Sequence, residues 1–380
     1  MNIRFIAIFG LCAAILAGCG QGGGAAPAAG GPEDGSNSPF PHNRYGASAA
    51  YAEERAALED FIARRMTGRN GVYTNLIDTA QDGNAASGHE VLSESAGLMM
   101  RYDALSGRAA HFAETWGRAK AAFDMTAAFS YRYSPLSDRR YPVNAAVDDL
   151  RLIRALYEAG AAFKDAAYTS EADRYGQRFY AHNAKDGRLY DFYDETYKTT
   201  NDFLTLCYID LKTLGMLKLP GDEQERLLES VRRTAEGGYL GDAFPFYETR
   251  YDYGTGAYAS PQGIRTVESL VTILHLAEVG LERPASVAYI KKQVKAGTLY
   301  GTYSPAGEPK DDVRSTAIYA LAAMIGSAAD DRELYEQAIA RMNEWRTTGT
   351  GGPLDGGFGD PATGQAYSFD NLTALLAYAY

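Results

Sequence analysis

The chain has 380 residues, 46% of them hydrophobic, and a formal net charge of -11. That much apolar sequence supports a buried core in one large domain or two smaller ones. The acidic balance argues against nucleic acid and long polyanions as partners and leaves neutral or cationic ones open.

The first residues read as a targeting segment. Arg4 precedes an apolar run over 5–15, and Leu16-Ala17-Gly18-Cys19 has the form of a bacterial lipobox. The run is too short for an ordinary membrane span, and the small residues before Cys19 suit signal cleavage. Residues 1–18 are therefore expected to be a signal peptide, with Cys19 the lipidated start of the mature chain. Residues 19–44, rich in Gly, Ala, Ser and Pro, cannot bury a core and read as a flexible tether. Residues 45–380 would then be a single catalytic domain, monomeric, held at the cell envelope on the extracytoplasmic side, with the membrane reached through Cys19. Once Cys12 has left with the signal, Cys207 has no disulfide partner in the mature domain, and its apolar neighbours make it a buried bystander. His89-Glu90 lacks a second histidine four residues after the first, so no zincin-type metal site is supported, and no cofactor is expected.

From residue 49 onward two kinds of helical segment alternate. Segments 51–66, 109–127, 170–181, 223–235, 285–295 and 332–346 carry charge on one face, as outer helices do. Segments 87–105, 144–159, 201–217, 262–279, 311–325 and 368–380 are apolar nearly all round, as helices covered by neighbours are. The first of these would open at a capping box, Ser87 with Glu90. Starts recurring every 50 to 60 residues predict six helical hairpins, and six inner plus six outer helices predict an all-α (α/α)6 barrel.

Each inner segment starts polar and then turns apolar: Glu94, Asp148 and Asp149, Asn201 and Asp202, Arg265, Asp311 and Asp312, and Asp370 mark the six starts. In a closed ring these converge on one end. The loops entering that end hold much of the aromatic content, including Tyr131, Tyr193, Tyr251, Tyr253, Tyr300 and Tyr367. Rings with hydroxyl tips among Asp, Asn and Arg suit sugars, which have apolar faces and polar edges.

Leu92-Ser93-Glu94-Ser95-Ala96-Gly97-Leu98-Met99-Met100 resembles the acid-bearing motif of glycoside hydrolase family eight. The Ser-Glu pair and the Met six residues after the Glu match, while Ser95, Leu98 and Met99 depart from it. A narrower resemblance is to the lipoprotein branch associated with exopolysaccharide. The resemblance implies Glu94 as general acid. Asp149-Leu150-Arg151-Leu152-Ile153-Arg154-Ala155-Leu156 resembles the latter half of the family's Asp-Ala-Asp motif, which implies Asp148 or Asp149 as a sugar-binding carboxylate. Asn201-Asp202-Phe203 with Tyr208 is similar to the third inner start.

The family's base motif, Tyr-Asp-Ala-x-Arg, meets Gln262-Gly263-Ile264-Arg265 here, so the aligned Asp is missing. Tyr251-Asp252 lies just upstream, and Asp252 is the expected base, with Glu248, Asp242 and Asp311 as rivals. Tyr251, Arg265, Tyr193 and Asn201 are expected to bind substrate.

Together these imply an inverting, endo-acting hydrolase of a β-linked polysaccharide, with Glu94 and Asp252 on opposite sides of the sugar and a water between. Two other readings stand beside it. One is a polysaccharide lyase or unsaturated-uronyl hydrolase, for which Arg132, Arg139, Arg140 and Arg265 would gather; the other is a glycan-binding lipoprotein whose catalytic machinery has decayed.

Overall fold

The computed structural model describes residues 38–43, 45–81, 83 and 85–380. The expected signal peptide, Cys19 and most of the tether lie outside the described residues. Twelve α-helices in two alternating series make up just under half of the described chain. The outer series is α1 (Ala52–Phe61), α3 (Ala109–Phe123), α5 (Ala166–Asn183), α7 (Glu223–Gly237), α9 (Pro284–Ala296) and α11 (Arg332–Asn343). The inner series is α2 (Ser93–Leu105), α4 (Ala146–Phe163), α6 (Leu211–Met216), α8 (Thr266–Ala277), α10 (Thr316–Ala328) and α12 (Ser368–Ala377).

The pattern that predicts the two series also explains their burial. Every residue of α8 and all but one of α10 are buried, whereas α7 buries only Leu227, Val231 and Ala235, at four-residue spacing on one face. Local chemistry sets the ends: Asp165, Ser315 and Asp331 cap α5, α10 and α11 through their side chains, and α9 runs from Pro284 to a left-handed Gly297 at φ 68°.

Inner helices pack on inner helices in chain order, α2 on α4, α4 on α6, α6 on α8, α8 on α10 and α10 on α12, and α12 also packs on α2. Close approach of α2 to α4 depends on Gly97, where a Cβ would fall 2.8 Å from Cδ of Arg151. At the C-terminal ends, Arg101 of α2 pairs with Glu158 of α4, and Arg154 of α4 with Glu278 just after α8. The described N-terminal segment lies across this end: Lys212 donates to the Phe40 carbonyl, and Ser327 donates to the Asn43 carbonyl at 3.2 Å.

Three expectations need correction. The chain is not purely helical: short two- and three-stranded antiparallel sheets precede several inner helices, among them Val91–Leu92 paired with Arg132–Ser134. The first inner helix starts at Ser93, not Ser87. Glu90 does accept from the Ser87 amide at 2.9 Å, but its carboxylate is also held by Arg132 at 2.7 Å, so the motif closes a turn outside the helix. The third inner segment is not one helix over 201–217. It is a strand (Phe203–Thr205), a 3-10 turn (Leu206–Tyr208) and the two-turn α6, with Cys207 buried in the turn.

Candidate active site

Polar side chains tie the inner starts to one another. Ser93 donates to Asp148 at 3.2 Å, joining α2 to α4, and Ser95 donates to Ser368 at 2.9 Å, joining α2 to α12. Glu94 stands between these two anchors in the first turn of α2, 7% exposed. Asp370 of α12 accepts from the Ala317 amide at the start of α10 at 2.9 Å. Asp191 accepts from the Thr205 amide at 2.7 Å and from its hydroxyl at 2.5 Å, while its own carbonyl accepts from the Ala146 amide at the start of α4. In the first turn of α8, Glu268 accepts from Thr249 and from Arg265, both at 3.2 Å. The carboxylates at this end are thus held by neighbours on other elements, and their positions are fixed before any ligand arrives.

Burial dominates their proton affinity. It pushes Asp191 up to about 7 against the two Thr205 bonds, and Asp370 up to about 6 against the Ala317 amide. Asp149 is pushed up to about 8, with the Arg178 charge opposing, and Asp148 is raised by burial against its partner Arg151. Asp252 is the opposite case: bonds from the Thr255 amide (2.7 Å) and hydroxyl (2.9 Å) hold it below its ordinary value.

These shifts set a pH dependence of stability. A carboxyl whose pKa is raised by folding binds its proton more tightly in the folded state, so stability falls as pH rises from the unfolded value through the folded one. For Asp191 the window runs from about 4 to about 7. An Asn here keeps an acceptor for the Thr205 amide and does not ionise. Asp191→Asn should therefore gain thermal stability relative to the parent between pH 4 and pH 8, by roughly 4 kcal/mol at full extent. Melting curves of both proteins across that range check it; a gap that does not change with pH contradicts it.

The structure places the expected residues as follows. Asp148 lies at the α2–α4 seam bonded to Ser93, while Asp149 accepts from the Phe129 amide at 3.3 Å in the wall behind. Asn201 accepts from the Asp191 amide at 2.9 Å and donates to the Phe203 carbonyl at 2.6 Å, ordering the loop with both ends of its side chain. Tyr193 packs its ring 4.8 Å from His182. Tyr251 and Asp252 belong to the central strand (Arg250–Asp252) of a three-stranded sheet, Tyr251 packing on Tyr258 and Asp252 opening the turn. Arg265 bridges Glu268 and Gln262.

Of the rival bases, Glu248 accepts from Ser260, Asp242 from Tyr239, and Asp311 from the Gly301 and Val313 amides. Of the four arginines a lyase would use, Arg132 and Arg139 both stack on the Tyr141 ring, Arg132 also pairs with Glu90, Arg140 donates to the Ala121 and Ala122 carbonyls, and Arg265 pairs with Glu268, so three of the four are held by acids or carbonyls. Sequence reasoning passes over Glu268 and Arg250. Only the Arg265–Glu268 spacing of three on a helix start hints at the first, and the second becomes visible only through strand pairing.

A partly open cavity of about 200 Å³ is lined by Leu92, Ala96 and Met99 together with residues of α3 and of the 59–72 segment. On helical geometry Ala96 and Met99 share the face of α2 opposite Glu94, and Leu92 ends the strand just before it. Glu94 does not line it.

No sequence-family profile matches the chain. YdaJ of Bacillus subtilis (strain 168), named as a lipoprotein, is 30% identical over 292 residues, covering 75% of this chain and 78% of its own length. A solved structure described as a novel alpha-amylase from Clostridium perfringens is 30% identical with a TM-score of 0.80, covering 87% of this chain and 99% of that one. Endoglucanase Cel10 from Klebsiella pneumoniae, a family 8 glycosyl hydrolase, shares the fold at 14% identity with a TM-score of 0.56, over 77% of this chain and 100% of its own.

Proposed function

The chain belongs to glycoside hydrolase family 8 and is a glycosidase, and on that premise we propose a lipid-anchored, inverting, endo-acting enzyme that cleaves an extracellular polysaccharide. The observation that carries the reading is Glu94, buried at the start of α2 and flanked by serines that bind α4 and α12. A general acid has to hold one position while the leaving oxygen departs, and this anchoring supplies that. Asp252, kept ionised by Thr255, takes the part of the base that activates water. Asp148, next to Ser93, is the carboxylate proposed to bind sugar, rather than Asp149 in the wall.

The helix order, with α12 returning to α2, supports the (α/α)6 barrel, whose catalytic body spans 45–380. Among the described residues no helix is long and apolar enough to cross a membrane. The lipobox at Cys19 and a relative named as a lipoprotein support anchoring by lipid at the cell envelope.

The β-linked exopolysaccharide expected from the sequence has one specific competitor. The Clostridium structure, matched over almost its whole length, is described as an alpha-amylase, which favours an α-linked glucan as second reading. Incubation of the purified protein with soluble starch, barley β-glucan, xylan, chitosan and bacterial exopolysaccharides, following reducing ends and product anomers, separates the two. Release from one β-linked polymer with inverted product supports the first; release from starch alone replaces it; products absorbing in the ultraviolet would overturn hydrolysis.

A further inference from the structure

Alternation along the central strand places Arg250 and Asp252 on one face of its sheet and Tyr251 on the other. Across from them stand Thr205 and Phe203 on one neighbouring strand, and Ala259 and Ala257 on the other. This face therefore carries an arginine, an ionised aspartate and one aromatic ring, and the two alanines leave it shallow. Its strands lead directly into the mouth: Thr205 precedes the 3-10 turn Leu206–Tyr208 of the third inner segment, and Thr249, just before Arg250, binds Glu268 at the start of α8.

Arg250 lies over the Phe203 ring at 4.6 Å. Among the described residues its buried Nε has no hydrogen-bond partner and no carboxylate forms an ion pair with it. Arg151, Arg265 and Arg132, by contrast, are spent on Asp148, Glu268 and Glu90. An arginine stacked on an aromatic ring and tied down by no ion pair is held in place and can offer the Nη edge of its fork to acceptors.

We propose that Arg250 is a further substrate-contacting residue, donating to adjacent ring hydroxyls of a neutral glycosyl unit that lies along the Ala257–Ala259 strand and fixing that unit over Asp252. The choice of a neutral unit follows from the neighbours: Asp252 on the same face repels an acidic sugar, and Arg250 itself repels an aminated one. The inference rests on the glycosidase reading and on Asp252 as its base.

The test uses the full chain with Arg250→Lys, which keeps charge but not the fork, and Arg250→Gln, which keeps neither. The expected result is a KM raised roughly ten- to hundredfold in both, with the acidic limb of the pH profile moved upward only in Arg250→Gln, where Asp252 loses its neighbouring cation. Mobility in native gels containing soluble starch, barley β-glucan, xylan or alginate gives a second readout independent of turnover. Retardation by a neutral polymer that Arg250→Gln abolishes supports the proposal. Retardation unchanged by Arg250→Gln, retardation by alginate alone, or no retardation by any neutral polymer overturns it. Failure of the glycosidase reading shows separately, as a parent that releases no reducing ends from any polymer.

Discussion

Glu94→Gln is expected to lower kcat about a thousandfold while leaving polymer retention intact. The amide has the shape of the acid but no proton to transfer, so the leaving oxygen would depart as an alkoxide. The anchors on either side, Ser93 to Asp148 and Ser95 to Ser368, do not involve the replaced group, so the start of α2 stays where it is. Asp252→Asn should cost a similar factor for the complementary reason: water is no longer deprotonated as it attacks. Its turn should survive, because the Asn carbonyl still accepts from the Thr255 amide. Reducing-end release with gel retardation alongside separates chemistry from binding. Full activity in Glu94→Gln would remove Glu94 from the mechanism. Loss in Glu94→Gln with full activity in Asp252→Asn would keep the acid and return the base to Glu248, Asp242, Asp311 or the buried Glu268.

What was legible in the sequence follows from how local each signal is. The twelve helical segments could be read because apolar residues all round one series and a charged face on the other are properties of single segments, set by burial against neighbours on one or all sides. Position at the mouth could be read for Glu94 and Asp148 because polar residues opening an apolar helix have few other places to be. The start of α2 could not be read from the capping box, since a distant arginine, Arg132, captures Glu90 and closes the turn early. Arg101 likewise finds its partner, Glu158, on the next inner helix rather than along its own. The break in the third inner segment is also non-local. Thr205 and Phe203 are drawn into strand pairing with Arg250 and Asp252, and Asp191 holds Thr205 from the preceding loop. Arg250 acquires a role only through that pairing, which no spacing along the chain announces.

The largest effect on stability is expected at the other end of the inner helices, from Arg154→Met. Arg154 is fully buried and forks onto Glu278 through two bonds of 2.8 and 2.6 Å, with Glu158 at 3.3 Å and Asp210 at 3.7 Å. One guanidinium therefore faces three buried acids. Burial alone would raise Glu278, yet the Arg154 charge overrides it and holds the acid at about 2. Removing that cation takes the bonded partner from Glu278 and the nearest cation from Asp210 in a desolvated setting, while Glu158 keeps Arg101; breaking one such buried pair costs about 3–5 kcal/mol. Methionine fills most of the volume, so the loss is electrostatic rather than a cavity. The sign of its pH dependence follows from the depressed pKa. Glu278 contributes stability that is fully present above its unfolded value near 4.5 and is lost as pH falls through about 2. The gap in melting temperature between parent and Arg154→Met should therefore be widest at high pH and narrow as pH falls, starting above 4.5, where the variant's buried acids take up protons, and continuing toward about 2, because the parent keeps Glu278 charged over that range. A gap that stays constant from pH 7 to pH 3 would mean that Arg154 stabilises this end by packing its stem and not by its charge.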